Sequence, residues 1–577
     1  LREIKRTATP TGNVVHIRGD KMPPRPPLEI PGHLQTLMPP GYVESPAGLL
    51  RIHEEGEDPI LLSCRMIAPV ALFRDIMTGA YHVEVAWQDE ADGSWTTRTV
   101  ARSVVADARK IVALSDYTDA ITSVVSGDMV RWFSAVQQHC DLPVRAAASA
   151  FGWQDEGRAG FLGGSECIGG EVALLASDGI EQLGEGFRTC GDAGIWREIW
   201  DLVEPYPAVG LAVYAAIAPV ILGIVREAPA FTVDWSGKQQ GGKSTTMQLA
   251  ASVWGDPMAL ISTWEGSSTG IERTLAVHRH LPTLLDDTKQ ASDPSVVTEA
   301  LYRVTGRKGK IRGSLDSLRR SVEIRTVLLS TGERAATSFT EDAGAHSRCL
   351  SVQGPPFGAS EEGRRAAERV QSIVMDHFGH IGPAVVRYLV DRRAGWPELI
   401  DEWVRLRKTI HERKSGSDGR GTAYLATLLQ AALLLERACG IKVRDSIMNY
   451  AEQRAAAAAR SADRPLEALK WTWSWLDQNR HRIALPVFED NLVVRMSAPD
   501  RDMIAVWPHG EGPGVVWAAL KRDMGRDGFA IDDIEGEWVR RGWIGPDRIK
   551  MTISRDYRPW VRQFTDVARK VVDGEGG

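Results

Sequence analysis

The run GKQQGGKST at positions 237–245 carries the most specific chemistry in the chain. Gly237, Lys238, Gln239, Gln240, Gly241, Gly242, Lys243 and Ser244 fill the pattern G-x-x-x-x-G-K-[ST], and Thr245 follows. Glycines at these places let successive backbone N–H groups turn inward onto phosphate oxygens. Lys243 is placed to reach the β- and γ-phosphates, and the Ser244 hydroxyl to bind Mg²⁺. The expected ligands are therefore ATP and Mg²⁺.

Such a loop binds but does not by itself hydrolyse. Hydrolysis needs a carboxylate on the metal and a group that positions water. The apolar run HLPTLLDD (280–287) ends in two carboxylates, Asp286 and Asp287. Asp286 is expected to hold Mg²⁺ and Asp287 to orient the attacking water. Both fall at the carboxyl end of a strand, where ligands bind in parallel sheets. The next strand, within VEIRTVLLSTGER (322–334), brings Ser330 and Thr331 as candidates to lie beside the γ-phosphate. Arg348, in AHSRCLSVQ (345–353), is a candidate finger toward the γ-phosphate of a neighbouring subunit. Arg420, which opens the helix-like TAYLATLLQ, is a second candidate γ-phosphate sensor.

These residues must be held by strands and helices. AFTVDW (230–235) is β-branched and aromatic, as a buried strand is. KSTTMQLAASVWG (243–255) has helical spacing and stops at a glycine. Strands alternating with helices over 201–360 predict an α/β core with a parallel sheet. Around it we expect a Pro-rich segment (1–60), an α+β N-terminal domain (61–200), a helical lid (361–465) and a winged-helix-like C-terminal domain (466–577). PYPAVGLAVYAAIAPVILGIV (205–225) carries no charge and is long enough to cross a bilayer. Its place just before the loop's strand, and Pro219 within it, favour a helix packed under the sheet.

The chain has 577 residues, 43% of them hydrophobic, and a net charge of −6, so any binding to nucleic acid must be local. YRVTGRKGKIRGSLDSLRRSVEIR (302–325) is such a locality, with eight basic residues against two acidic ones. Arg307, Lys308, Lys310 and Arg312 lie among glycines and are the candidate contacts to DNA phosphates. The six cysteines are scattered without a C-x-x-C pair, which gives no zinc ribbon and suits a reducing, cytoplasmic setting.

In this order the elements resemble the phage- and plasmid-type primase-helicase AAA+ proteins, relatives of the MCM-like replicative helicases of mobile cassette chromosomes. The resemblance rests on GYVESPAGL, SAFGWQ, GKQQGGKSTTMQLAASVWGDP, LPTLLDDTKQ, YRVTGRKGKIRG and TVLLSTGE, across roughly residues 40–355. It implies an α/β AAA+ ATPase that assembles as a homo-hexameric ring and acts as a DNA helicase or translocase on single-stranded or forked DNA. It also implies replication of a phage, plasmid or other mobile element. The N-terminal region carries neither a zinc-binding Cys set nor a carboxylate pair for two-metal polymerisation, so a separate primase or loader is the expected partner. A ring ATPase that remodels proteins, or acts in phage defence without unwinding, is the alternative reading. The family usually has Glu after the Mg²⁺ aspartate, where this chain has Asp287.

Overall fold

A computed structural model describes residues 38–573 except 53–57, 90, 92, 176–178, 238–240, 307–312, 315–316, 319–322, 341–342, 414–418, 462, 490–491, 498–501, 509–511, 528, 530 and 552–559. The fold is mixed α/β. It divides into two compact units. One holds most of residues 38–336 with 351–415 and 422–451; the other holds 337–350, 416–421 and 452 onward.

The larger unit is built on a five-stranded sheet. Its strands are β1 (Thr232–Ser236), β2 (Ile261–Thr263), β3 (Thr283–Asp286), β4 (Leu328–Gly332) and β5 (Cys349–Gln353), in the spatial order β2-β3-β4-β1-β5. The β2–β3, β3–β4 and β4–β1 pairings are parallel. Every residue of β1 and β4 is buried, the polar Asp234, Ser236, Ser330 and Thr331 included, as expected of strands covered on both faces of a parallel sheet. The charge-free segment of the sequence forms helix α1 (Pro207–Ile224), and 89% of it is buried inside the protein. Its packing is specific: the indole N–H groups of Trp235, Trp153 and Trp254 donate to its carbonyls at 2.8, 3.0 and 2.8 Å. The Trp153 bond reaches Val220 O, one of the carbonyls beside Pro219.

Helix α2 (Lys243–Ser252) follows the phosphate-loop segment, α3 (Ser268–His278) precedes β3, and α4 (Pro294–Gly306) follows it. A short antiparallel pair, Gly313–Ser314 with Ser317–Leu318, lies between α4 and β4 in the chain.

Before this core, the strands Ile67–Asp75, Tyr81–Gln88 and Trp95–Ala101 form an antiparallel run, with Val144–Ala148 parallel to the first. Helix Ser126–His139 covers it, and Trp132 sits fully buried with its N–H on Ile67 O at 2.7 Å. Within the Pro-rich segment (1–60), Tyr42–Ser45 and Gly48–Arg51 form a tight hairpin. Gly48 has φ +123, and a Cβ there would lie 2.0 Å from Ser63 O, so the turn admits only glycine.

The SAFGWQ motif joins this region to the core. Trp153 N–H donates to His280 Nδ1 at 3.1 Å, and Arg279 donates to Trp153 O at 2.7 Å. His280 is buried just before β3, and burial holds its pKa well below the ordinary histidine value. The motif is therefore a packing element under the strand that carries the carboxylate pair.

In the smaller unit, helices Arg464–Gln478, Trp517–Arg526, Ile531–Arg540 and Asp566–Asp573 enclose a core around Trp538, Leu520 and Phe564. The helix Ile531–Arg540 is followed by an antiparallel strand pair, Ile549–Lys550 with Trp560–Gln563.

Candidate functional site

The loop opens at Gly237, directly after β1, and ends at Gly242, which caps α2 with φ +78. Both glycines have positive φ, and their surroundings leave little room for a side chain. A Cβ on Gly237 would stand 3.3 Å from the backbone of Gly354, and one on Gly242 would stand 2.6 Å from the Phe357 ring. The turn GPPFG (354–358), just after β5, is thus the outer wall of the loop. No phosphate-loop pattern mentions this segment; its Gly-Pro-Pro composition was the only signal in the sequence.

Lys243 is the first residue of α2, and its amine donates to Gly237 O at 3.0 Å, across the width of the loop. Ser244 is exposed and Thr245 is buried. Gly241 is half-buried, and Lys238, Gln239 and Gln240 lie outside the described residues. The start of α2 also carries the positive end of the helix dipole, which favours an anion.

The two carboxylates stand at the end of β3, two strands from β1 across β4. The Thr331 hydroxyl donates to Asp286 Oδ1 in a short hydrogen bond, and it accepts the Asp287 N–H at 3.2 Å. One threonine therefore ties together both members of the pair. Asp287 has φ +58, in the left-handed region that non-glycine residues rarely adopt. Its carboxylate accepts Lys289 N–H and Gln290 Nε2, each at 3.2 Å, and caps the short turn Thr288–Gln290. Asp enters this conformation more readily than Glu because its short side chain bonds to its own following backbone. That supplies a local reason for Asp where the resembled family has Glu.

Ser330 and Thr331 do not share a destination. Neighbouring residues of a strand face opposite sides of a sheet. Ser330 is fully buried and accepts the Trp264 indole N–H at 3.3 Å, with Asp234 of β1 beside it. Thr331 alone meets the carboxylate pair. Asp234 was not singled out from sequence, yet it is the buried acid of this sheet. One of its oxygens accepts Ala336 N–H at 3.0 Å, with the Ser330 and Ser236 hydroxyls next to it. Burial pushes its pKa up from 3.8 to about 6 despite these donors.

This has a stability consequence with a definite sign. The folded state holds the Asp234 proton more tightly than the unfolded chain does. The stability this confers is complete below about pH 4 and is lost as pH rises through about 6. Above pH 6 the ionised, buried carboxylate costs stability. We expect Asp234→Asn to raise the melting temperature at pH 8, through removal of up to ~3 kcal/mol of that cost, and to leave pH 4 nearly unchanged. Thermal unfolding at the two pH values checks it; equal shifts at both would contradict the burial argument.

Arg348 and Arg420 lie in the smaller unit, where the structure brings them to the same turn. Arg348 donates to Gly344 O, and Arg420 donates to Ser347 Oγ at 3.0 Å.

Arg307, Lys308, Lys310 and Arg312 fall outside the described residues. Two of the eight basic residues of that stretch are engaged within the protein. The Arg303 side chain is only 10% exposed and pairs with Glu272 at 3.2 Å and Glu299 at 2.5 Å. Arg325 donates to the carbonyls of Val225 and Arg226 at 3.3 and 3.2 Å. They fix the two ends of the basic segment and are not part of its exposed charge.

Residues 49–323 match a family model described as a domain of unknown function (DUF927). The solved structure titled "SCCmec type IV Cch - active helicase" superposes with a TM-score of 0.69 at 15% identity, covering 92% of this chain and 99% of that one. The chain shares that helicase's fold. Two apo structures of the NrS-1 C-terminal region reach TM-scores of 0.25 and 0.24, at 10% and 9% identity over 65% of this chain and 88% of theirs, and carry no argument. No curated protein matches the chain.

Proposed function

We propose that the protein is an ATP-dependent DNA helicase or translocase, a ring-forming AAA+ motor that replicates a phage, plasmid or other mobile element. The observation that carries the proposal is the juxtaposition at the carboxyl ends of β1, β4 and β3. A glycine-walled loop leads into the N-terminus of α2, and a threonine-tied carboxylate pair stands two strands away. The strand order β2-β3-β4-β1-β5 agrees with this reading, since a phosphate loop belongs at the point where connections leave a strand in opposite directions. The shared fold with a protein titled an active helicase supports the same class of activity.

In this reading the backbone N–H groups of the loop and Lys243 bind the phosphates. Ser244 and Asp286 would hold Mg²⁺, a hard cation that prefers oxygen ligands. ATP and the metal supply the phosphoryl group and the charge that draws it out. Asp287 orients the water, and for this its carboxylate must turn away from Lys289 and Gln290. Thr331 keeps Asp286 and the Asp287 backbone in register. Arg348 serves a neighbouring subunit's nucleotide as a finger, and Arg420 is a second sensor. The basic segment around Lys308, Lys310 and Arg312 contacts DNA phosphates. The Pro-rich, N-terminal, lid and winged-helix-like regions flank this motor in a cytoplasmic homo-hexamer, with a separate primase or loader.

The test is ATP turnover by the purified chain with and without single-stranded DNA, together with its mass in solution. DNA-stimulated turnover in a ring-sized assembly is expected. Turnover indifferent to DNA would move the function to protein remodelling or phage defence. A further expectation concerns Arg348. Subunits carrying Arg348→Ala and subunits carrying Lys243→Ala are each inactive alone, and mixed they recover part of the activity. No recovery in verified mixed rings would remove Arg348 from the trans role.

A further inference from the structure

The strand order sets the direction in which a nucleotide must lie. β1 has β4 on one flank and β5 on the other. The carboxylate pair and Thr331 belong to the β4–β3 flank. A triphosphate seated in the loop after β1 therefore turns its γ end toward that flank. Its ribose and base must leave on the β5 side.

What the chain puts on the β5 side is aromatic. The GPPFG wall brings Phe357 against Gly242, and Phe357 is itself only 2% exposed. The ring of Tyr206, the residue that caps the start of α1, lies 5.4 Å from the Phe357 ring at 51°. Tyr206 is half-buried. It is held there from two sides. Pro207 is the first residue of α1, and Trp235 of β1 donates to Ala208 O at 2.8 Å, which fixes that end of the helix to the loop's own strand. Among the described residues, a Cβ on Gly354 would meet nothing within 4 Å.

We propose that Tyr206, backed by Phe357, is the stacking surface for the nucleobase of the bound nucleoside triphosphate. This rests on the phosphate-loop reading and adds the contact which that loop cannot make. Aromatic stacking onto a base is tolerant of base identity, because every base presents a π-face. The surface therefore adds affinity for a nucleotide over bare phosphate, and discriminates little between purines.

Binding of Mg·ATP and of Mg·tripolyphosphate to the full chain, measured by calorimetry, separates this contact from the loop. In Tyr206→Ala the ATP dissociation constant is expected to rise about tenfold, within the range that loss of one base–aromatic stack gives. The tripolyphosphate constant is expected to stay within about twofold. Tyr206→Phe keeps the ring and should bind both like the wild type. Lys243→Ala should weaken both. Unchanged ATP affinity in Tyr206→Ala, or equal weakening of ATP and tripolyphosphate, would overturn the stacking role. A wild-type chain that binds neither ligand would overturn the phosphate-loop reading itself.

Discussion

Lys243→Ala is expected to abolish ATP turnover, by roughly 10²–10³-fold or more, the cost typical of removing one preorganised donor from a developing anion. The structure sharpens the reason. Lys243 is the first residue of α2, and its amine already spans the loop to Gly237 O at 3.0 Å. Its charge is thus held between the two ends of the loop. Alanine has high helix propensity, so α2 should survive the change. The expected outcome is a folded protein with an unchanged melting temperature, no turnover and weakened ATP binding. Steady-state ATPase and calorimetry check it. Normal turnover would sink the assignment of the whole loop.

Asp287→Asn is expected to lower turnover by about 10²–10⁴-fold, the usual contribution of a positioned general base, while ATP still binds. Asn tolerates the left-handed conformation nearly as well as Asp and still offers an oxygen to the Lys289 N–H. The backbone bond from Asp287 N–H to Thr331 is untouched. The variant therefore removes the charge and little else. Asp287→Glu provides the contrast. It restores the longer carboxylate of the resembled family but loses the tight local cap. We expect it to retain part of the activity, with a lower melting temperature. Full turnover in Asp287→Asn would show that another group orients the water.

The two variants also illustrate what was legible in the residues and what was not. The strand–turn–helix frame of the proposed phosphate loop could be read because the pattern that marks it is local. Cradling a phosphate needs a short stretch of backbone free to turn inward and one lysine at a fixed offset, and adjacent residues carry all of it. The carboxylate pair was legible for a similar reason, as an apolar strand that ends abruptly in charge.

Ser330 and Thr331 mark the limit. As neighbours in a chain they are equivalent candidates; as neighbours in a strand they point to opposite sides. Only the pairing of β4 with β3 and β1 decides that Thr331 meets Asp286 and that Ser330 is taken up by Trp264 and Asp234. Arg303 and Arg325 fail in the same way, since a count of basic residues cannot tell a solvated charge from one closed inside an ion pair or against carbonyls.

The sequence by itself thus determined what needs only contiguous residues and fixed spacing: the glycine-rich turn between β1 and α2, the acidic strand end, the buried helix before them. The tertiary structure decided everything that depends on partners distant in the chain. It placed Gly354 and Phe357 against the loop, tied Thr331 to the Asp286 carboxylate 45 positions away, and buried Asp234 within the sheet. The physical reason is that burial, hydrogen bonding and the shift of a pKa belong to an environment. Strands meeting from far apart in the chain make that environment, and no single stretch of residues contains it.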